Sequence, residues 1–203
     1  VKLTYTQLNQ EIQQFAAALQ ALGVQPKSKV ALFADNSPRW FIADQGIMAA
    51  GATNAVRSSS AERQELLYIL EDSDSNTLIV EDLKTLNKLI PDLEKLPVNL
   101  VILLSSEAPP EITNSQVFNF EQLMELGANN QFQTVEKNRQ ELATLIYTSG
   151  TTGQPKGAML SHGNLLHQVN AIQALLQTQP GDRFLSILPS WHSYERSCEY
   201  FAL

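Results

Sequence analysis

The sequence predicts an α/β fold, sheets with helices packed on both faces. Three observations lead there. Lys29–Ala34, Thr77–Val80 and Leu100–Leu104 are short, nearly continuous apolar runs, as expected of strands buried on both faces of a parallel sheet rather than wet on one side. Helical patterns stand between them, so strand and helix alternate. Several of those helical patterns also carry their own start and stop residues.

In chain order, Leu8, Ile12, Phe15, Leu19 and Leu22 recur at spacings of four, three, four and three. This is the stripe of an amphipathic helix, with Thr6 as its expected N-cap and Gly23 just past its end. Lys29–Ala34 is the first strand. Ser37 then caps a second helix and Pro38 opens it, because proline lacks the N–H that would be unpaired there anyway. That helix runs to about Ala50, and Gly51 ends it. Ala52–Val56 is a short strand. Ser59 and Glu62 have the spacing of a capping box for a helix ending near Asp72, and Glu71, Asp72 and Asp74 make an acidic turn, read as a solvated helix end. Arg57 with Ser58–Ser60 follows a strand end and could approach a ligand, although a plain loop is the preferred reading.

After the Thr77–Val80 strand, Leu83–Ile90 is a short helix stopped by Pro91. Leu100–Leu104 leads into a loop, Ser105–Ser115, holding Pro109 and Pro110. Phe120–Leu126 is a helix closed by Gly127, and Ala128–Gln140 is polar and exposed. Ala143–Tyr147 is a buried strand, Ala158–Leu160 a second, and Ser161 caps a long helix carrying Leu165, Leu166, Val169, Ile172, Leu175 and Leu176. Arg183–Leu188 is the last strand, ending at Pro189. No internal repeat and no Gly/Ser/Pro-rich linker marks a domain boundary.

The chemistry is concentrated between the two late strands. Leu145 to Gly157 breaks abruptly from apolar residues into Thr148, Ser149, Gly150, Thr151, Thr152 and Gly153, then offers Lys156. Small residues let backbone N–H groups approach an anion closely, hydroxyls add donors, and the lysine adds a compact positive charge. That inventory suits a polyphosphate. The stretch is not the P-loop G-x-x-x-x-G-K-[ST]: the second glycine falls three residues after Gly150, Pro155 precedes the lysine, and Gly157 replaces the Ser/Thr. With a short apolar piece after Lys156 instead of a helix, the loop is expected to join two strands as a long hairpin.

Tyr147 to Gly157 resembles, with no departures, the phosphate-loop signature [YF]-T-S-G-[ST]-T-G-x-P-K-G of the adenylate-forming superfamily. The resemblance runs from Thr4-Tyr5 to the C-terminal end. Pro189 to Arg196 forms a second cluster, with Trp191, His192, Tyr194 and an ion-pair-capable Glu195 and Arg196. Ser193 is expected to cap a helix whose buried face is Tyr194, Cys198 and Phe201, while Trp191 and His192 precede it and line a pocket. Family members carry an aromatic or apolar residue and a histidine at this P-x-x-H position, beside the carboxylate substrate. The fuller string from Trp191 to Phe201 is similar to the long-chain acyl-acyl-carrier-protein synthetases of cyanobacteria and plastids.

Composition excludes several other classes. Fourteen basic against 21 acidic residues give a net charge of −7, which leaves no basic stripe for nucleic acid. Cys198 is the one cysteine, so no disulfide framework exists and a reducing compartment is expected. His162 and His167 are five apart, do not share a helix face, and read as surface or cap residues. No H-E-x-x-H, C-x-x-C or G-x-S-x-G occurs. The longest apolar run is too short to span a bilayer, and the polar opening residues do not resemble a signal peptide. The chain opens at Val1 and stops at Leu203 within an apolar run, so a fragment is expected.

The resemblance implies the rest. Residues 1–203 would be the first, incomplete part of the large N-terminal adenylation domain. The reaction would be ATP-dependent activation of a long-chain fatty acid to an acyl adenylate, then transfer to the phosphopantetheine thiol of acyl carrier protein or CoA. Thr148, Ser149, Gly150, Thr151, Thr152, Gly153 and Lys156 would bind ATP, Lys156 and His192 would act in catalysis, and Trp191 and His192 would line the acid pocket. Thr151, or Thr152, would contact Mg2+. The adenine and ribose sites would lie beyond Leu203, so the chain by itself is expected not to turn over. The expected location is cytoplasmic, with the plastid stroma as the alternative, and peripheral membrane association is left open. Two other readings stand beside this one: a naturally short, non-catalytic half-domain that binds a ligand or partner, and a different adenylate-forming ligase.

Overall fold

Strands β1 (Lys29–Phe33), β2 (Thr53–Arg57), β3 (Thr77–Val80), β4 (Leu100–Leu103), β5 (Gln116–Asn119), β6 (Leu142–Thr148) and β7 (Lys156–Ser161) form one sheet in the order β5-β4-β3-β1-β2-β6-β7. The computed structural model describes residues 2–148 and 153–203. Every neighbouring pair is parallel except β6 and β7, which pair antiparallel. The helices are α1 (Tyr5–Ala21), α2 (Pro38–Ala49), α3 (Arg63–Asp72), α4 (Leu83–Asn87), α5 (Ile90–Leu93), α6 (Phe120–Ala128), α7 (His162–Leu175) and α8 (Ser193–Phe201).

Successive strand residues point to opposite faces, and both faces are dry. Val30, Leu32, Val56, Ile79, Ile102 and Ile146 pack under α1, α2 and α6. Ala31, Phe33, Leu78, Val80, Val101 and Leu145 pack under α3, α4 and α5. The continuous apolar runs therefore do mark two-sided burial. No helix of the described residues is long and apolar enough to cross a membrane.

Helix signals held where partners are local. Ser37 accepts the Trp40 N–H at 3.0 Å, and Ser161 caps α7 through a reciprocal pair with Asn164. Elsewhere a better local cap or a tertiary contact redirected them. Thr4, not Thr6, caps α1, because only Thr4 has a glutamine three residues on, and Gln7 returns a bond to the Thr4 N–H at 2.8 Å. Ser59 caps nothing: it donates to Asp35 at 2.6 Å, and α3 starts at Arg63 after Glu62, which makes no side-chain cap bond. Pro91 lies inside the first turn of α5 rather than stopping a helix, since a first-turn N–H has no intrahelical partner to lose. Gly127 sits within α6, not past it. A Cβ there would lie 2.0 Å from the Gln14 carbonyl oxygen, so this glycine allows α1 and α6 to touch.

Two strand assignments differ. β5 was not expected; QVFN is half-polar because it is the partly exposed edge of the sheet. Arg183–Leu188 is not a strand: it has the apolar pattern but no ladder partner among the described residues, and Leu185 and Ile187 are exposed.

Candidate active site

The site forms where the parallel strands end, the place at which open α/β sheets bind ligands. β6 and β7 build the expected hairpin. Their register sets Tyr147 opposite Gly157 and Thr148 opposite Lys156, so the threonine and the lysine face each other at its mouth, both exposed. Gly153 has φ +95°, a conformation that suits glycine. Ser149, Gly150, Thr151 and Thr152 lie outside the described residues.

Tyr147 fixes this hairpin from beneath. It is buried, and its hydroxyl donates to Asp72 at 2.7 Å. Burial first, then that carboxylate, push the phenol well above its usual range. A Cβ on Gly157 would come within 3.0 Å of the tyrosine ring, so the signature's last glycine leaves room for its first aromatic. Asp72 also accepts from Tyr68 at 3.2 Å. The acidic turn is thus more than a solvated helix end.

The second cluster reaches the same rim. Asn36, beyond β1, donates to the Leu188 carbonyl at 2.6 Å and accepts the Ser190 N–H at 2.9 Å. Arg57, the last residue of β2, stacks over Trp191 at 4.8 Å and donates to the Tyr147 carbonyl at 3.3 Å. Trp191 therefore lies against the outlet of β6, half-buried on the core. His192 is exposed and is itself the N-cap of α8, its Nδ1 at 3.5 Å from the Tyr194 N–H. Ser193 is the first helical residue rather than the cap.

The buried face of α8 is Glu195, Arg196 and Ser197, not Tyr194, Cys198 and Phe201. The cause is charge pairing. Arg196 is fully buried and ion-pairs with Asp44 of α2, which is equally buried. It also donates to Thr144 at 2.7 Å, Asn54 at 3.0 Å and the Tyr200 hydroxyl at 2.7 Å, and Tyr200 donates to Asp44 at 2.5 Å. Burial would drive the guanidinium down, but Asp44 and Tyr200 more than reverse this. Glu195 turns instead to the Ile187 N–H at 3.0 Å.

Two clefts open elsewhere. One of about 830 Å³ lies between the starts of α1 and α2 and residues 178–186, and one of about 640 Å³ between α7 and α8. Neither is lined by Lys156, Trp191 or His192. His167 is exposed, as expected, whereas His162 is the half-buried first residue of α7, capped by Ser161. No group of three or more His, Cys, Asp or Glu among the described residues could hold a metal ion. Arg57 was legible only from its strand-end position. Asp44 left one signal, a lone acid in the apolar run Trp40–Ala50.

The family model described as "AMP-binding enzyme" matches residues 1–203. The chain is 42% identical, over 99% of its length, to long-chain-fatty-acid–acyl-carrier-protein ligase AEE15, chloroplastic, of Arabidopsis thaliana, and covers 30% of that protein. It is 32% identical, over 94% of its length, to long-chain-fatty-acid–CoA ligase heimdall of Drosophila melanogaster, covering 29% of it. The long-chain-fatty-acid–CoA ligase FadD1 of Archaeoglobus fulgidus superposes with a TM-score of 0.83 at 26% identity, over 97% of this chain and 37% of that one. ATP-bound MatB of Rhodopseudomonas palustris superposes at 0.81 and 22% identity, over 100% of this chain and 38% of that one. The chain thus spans under a third of the curated relatives' length.

Proposed function

The chain belongs to the AMP-binding enzyme family, and on that premise we propose that it is the N-terminal portion of the adenylation domain of a long-chain fatty acid ligase. The carboxylate oxygen of the acid attacks the α-phosphorus of ATP and pyrophosphate leaves. A phosphopantetheine thiol then attacks the acyl carbonyl and AMP leaves. A free carboxylate has no usable leaving group, whereas its adenylate does. The names of the relatives support the acid class, and support either acyl carrier protein or CoA as acceptor; the higher identity to AEE15 favours the carrier protein. Its chloroplastic name favours the plastid over the cytoplasm.

The observation that carries this reading is the hairpin mouth, where the register sets Thr148 against Lys156 next to Gly153 at positive φ. An ammonium and a hydroxyl there stabilise the charge that builds on departing pyrophosphate, and Ser149, Gly150, Thr151 and Thr152 would add donors. Thr151 or Thr152 would offer a hydroxyl oxygen to a Mg2+ ion, which takes few protein ligands and would offset phosphate charge when bound. Trp191 and His192 would receive the acid, with His192 held at the rim by its place at the head of α8.

The test is Lys156→Ala in the full-length protein, with a long-chain fatty acid. Loss of a charge-assisted contact worth roughly 1.5–3 kcal/mol should slow adenylate formation about 10- to 100-fold. Thioester formation from preformed acyl adenylate should fall much less. Equal losses in both half-reactions would remove the phosphate role.

A further inference from the structure

Arg57 touches both arms of the site, and nothing in the proposed chemistry uses it. Its guanidinium donates to the Tyr147 carbonyl at 3.3 Å, immediately before the hydroxyl run, and lies over the Trp191 ring at 4.8 Å. A third contact, to Glu65 of α3 at 2.7 Å, completes the set. Both partners of that ion pair are largely buried, with side-chain exposures of 16% and 22%. The backbone beneath is also fixed. The Arg57 carbonyl accepts the Ala34 N–H at 3.2 Å, and Ser58 and Ser59, which follow it, donate to Asp35 at 2.7 and 2.6 Å.

This arrangement does not look like an anion site, because Glu65 already neutralises the guanidinium. It is suited to orientation. A planar fork can satisfy a carbonyl and a carboxylate through its edge while presenting its face to an indole, which a lysine cannot do. Trp191 also packs on the core, so the indole is held by the core and by Arg57 together.

We infer that Arg57 is a positioning residue that clamps Trp191 at the outlet of β6 and so tunes binding of the acid, not of the nucleotide. This rests on the reading above that Trp191 lies beside the carboxylate substrate. The Tyr147 contact is made through a backbone carbonyl already held in the sheet, so phosphate binding should scarcely depend on it.

The experiment measures pyrophosphate release by the full-length protein while varying a long-chain fatty acid and ATP separately, in Arg57→Gln, Arg57→Lys, Trp191→Leu and the Arg57→Gln/Trp191→Leu pair. Arg57→Gln should raise the KM for the acid about tenfold, the scale of a partly desolvated cation–π contact, with the KM for ATP within about twofold. Arg57→Lys should recover less than half of that loss on a logarithmic scale. In the Trp191→Leu background the Arg57→Gln effect should shrink below about twofold, because the two residues act as a unit. A KM for ATP that rises as much as that for the acid, full recovery with lysine, or additive losses in the pair would each overturn the inference while leaving the ligase reading intact. If Arg57→Gln does not fold, Glu65→Gln, which releases one side of the guanidinium, must shift the acid KM in the same direction. A wild-type protein that releases no pyrophosphate with any fatty acid would overturn the ligase reading and this inference with it.

Discussion

The β6–β7 hairpin keeps its place by a backbone ladder, apolar packing of β6 and the Tyr147–Asp72 bond, whereas α8 is seated through buried charge. On the hairpin the polar groups that matter for chemistry, Thr148 and Lys156, are left in water, while Thr144 and Tyr147 are taken inside. On α8 the relation is reversed. Arg196 is fully buried in a network of Asp44, Asn54, Thr144 and Tyr200, while Tyr194 and His192 face solvent. The hairpin can therefore change its exposed residues at little cost to the fold, and α8 cannot change its buried ones. A buried ion pair adds little net stability over apolar residues of the same shape, because desolvation consumes most of the attraction, yet losing one partner leaves an uncompensated charge. What the pair does specify is one seat for α8, and with it the height of Trp191 and His192 above the sheet.

The largest effect expected breaks that seat. Arg196→Met should destabilise the protein by about 3–5 kcal/mol, a fall in melting temperature on the order of 10 °C, because Asp44 stays buried with only neutral partners, Gln45, Asn54 and Tyr200, and no opposite charge. Lys156→Ala should leave the melting temperature within about 1 °C, although it removes more of the chemistry. Comparable thermal losses in the two variants would erase the contrast between the arms.

A smaller effect sharpens the hairpin side. Gly157→Ala brings a methyl within 3.0 Å of Tyr147 Cζ, and the ring can retreat only by giving up its bond to Asp72. The expected cost is about 1–3 kcal/mol, as for overpacking a core. In a Tyr147→Leu background the same alanine should cost clearly less. Equal costs in the two backgrounds, read from denaturant midpoints, would show that Gly157 is needed for something other than the tyrosine ring.

The contrast also explains what was legible. The hairpin and the helix begun by Ser161 follow from neighbours a few residues apart, and both were readable, whereas the register that pairs Thr148 with Lys156 was not. The parallel sheet was readable too, since strands such as Leu100–Leu103 must be apolar on both sides. The α8 network joins residues 44, 54, 144, 196 and 200, and no local pattern announces such a meeting. Periodicity assigned Tyr194, Cys198 and Phe201 to the core because they are the apolar residues of that helix. Arg196 took the buried side because Asp44 was waiting for it. Ser59 and Gly127 failed for the same reason: each looked like a helix terminus, and each had a partner from far along the chain, Asp35 and Gln14.

The smallest effect expected distinguishes the arms by their response to acid. His162, at the base of the hairpin where β7 passes into α7, has its imidazole held below the ordinary 6.5 by burial first and by Lys137 second, with Glu141 opposing. The unfolded chain then binds more protons in the window just under pH 6.5, so this group makes stability fall as pH drops through it. Glu199 on α8 is the opposite case. Burial raises its carboxyl above the ordinary 4.5, the bonds from Ser186 and Ser190 pull it back, and Asp44 and Glu195 add to the rise. Here the folded state binds more protons above pH 4.5, so this group makes stability rise as pH drops towards that value. Between pH 7 and 5, His162→Gln should therefore lessen the acid loss of melting temperature, and Glu199→Gln should deepen it. Both changes should stay within about 2 °C, since each group is partly open to solvent. Melting curves at half-unit pH steps decide it: slopes that move in the same direction in both variants would mean that the two arms do not differ in their answer to acid.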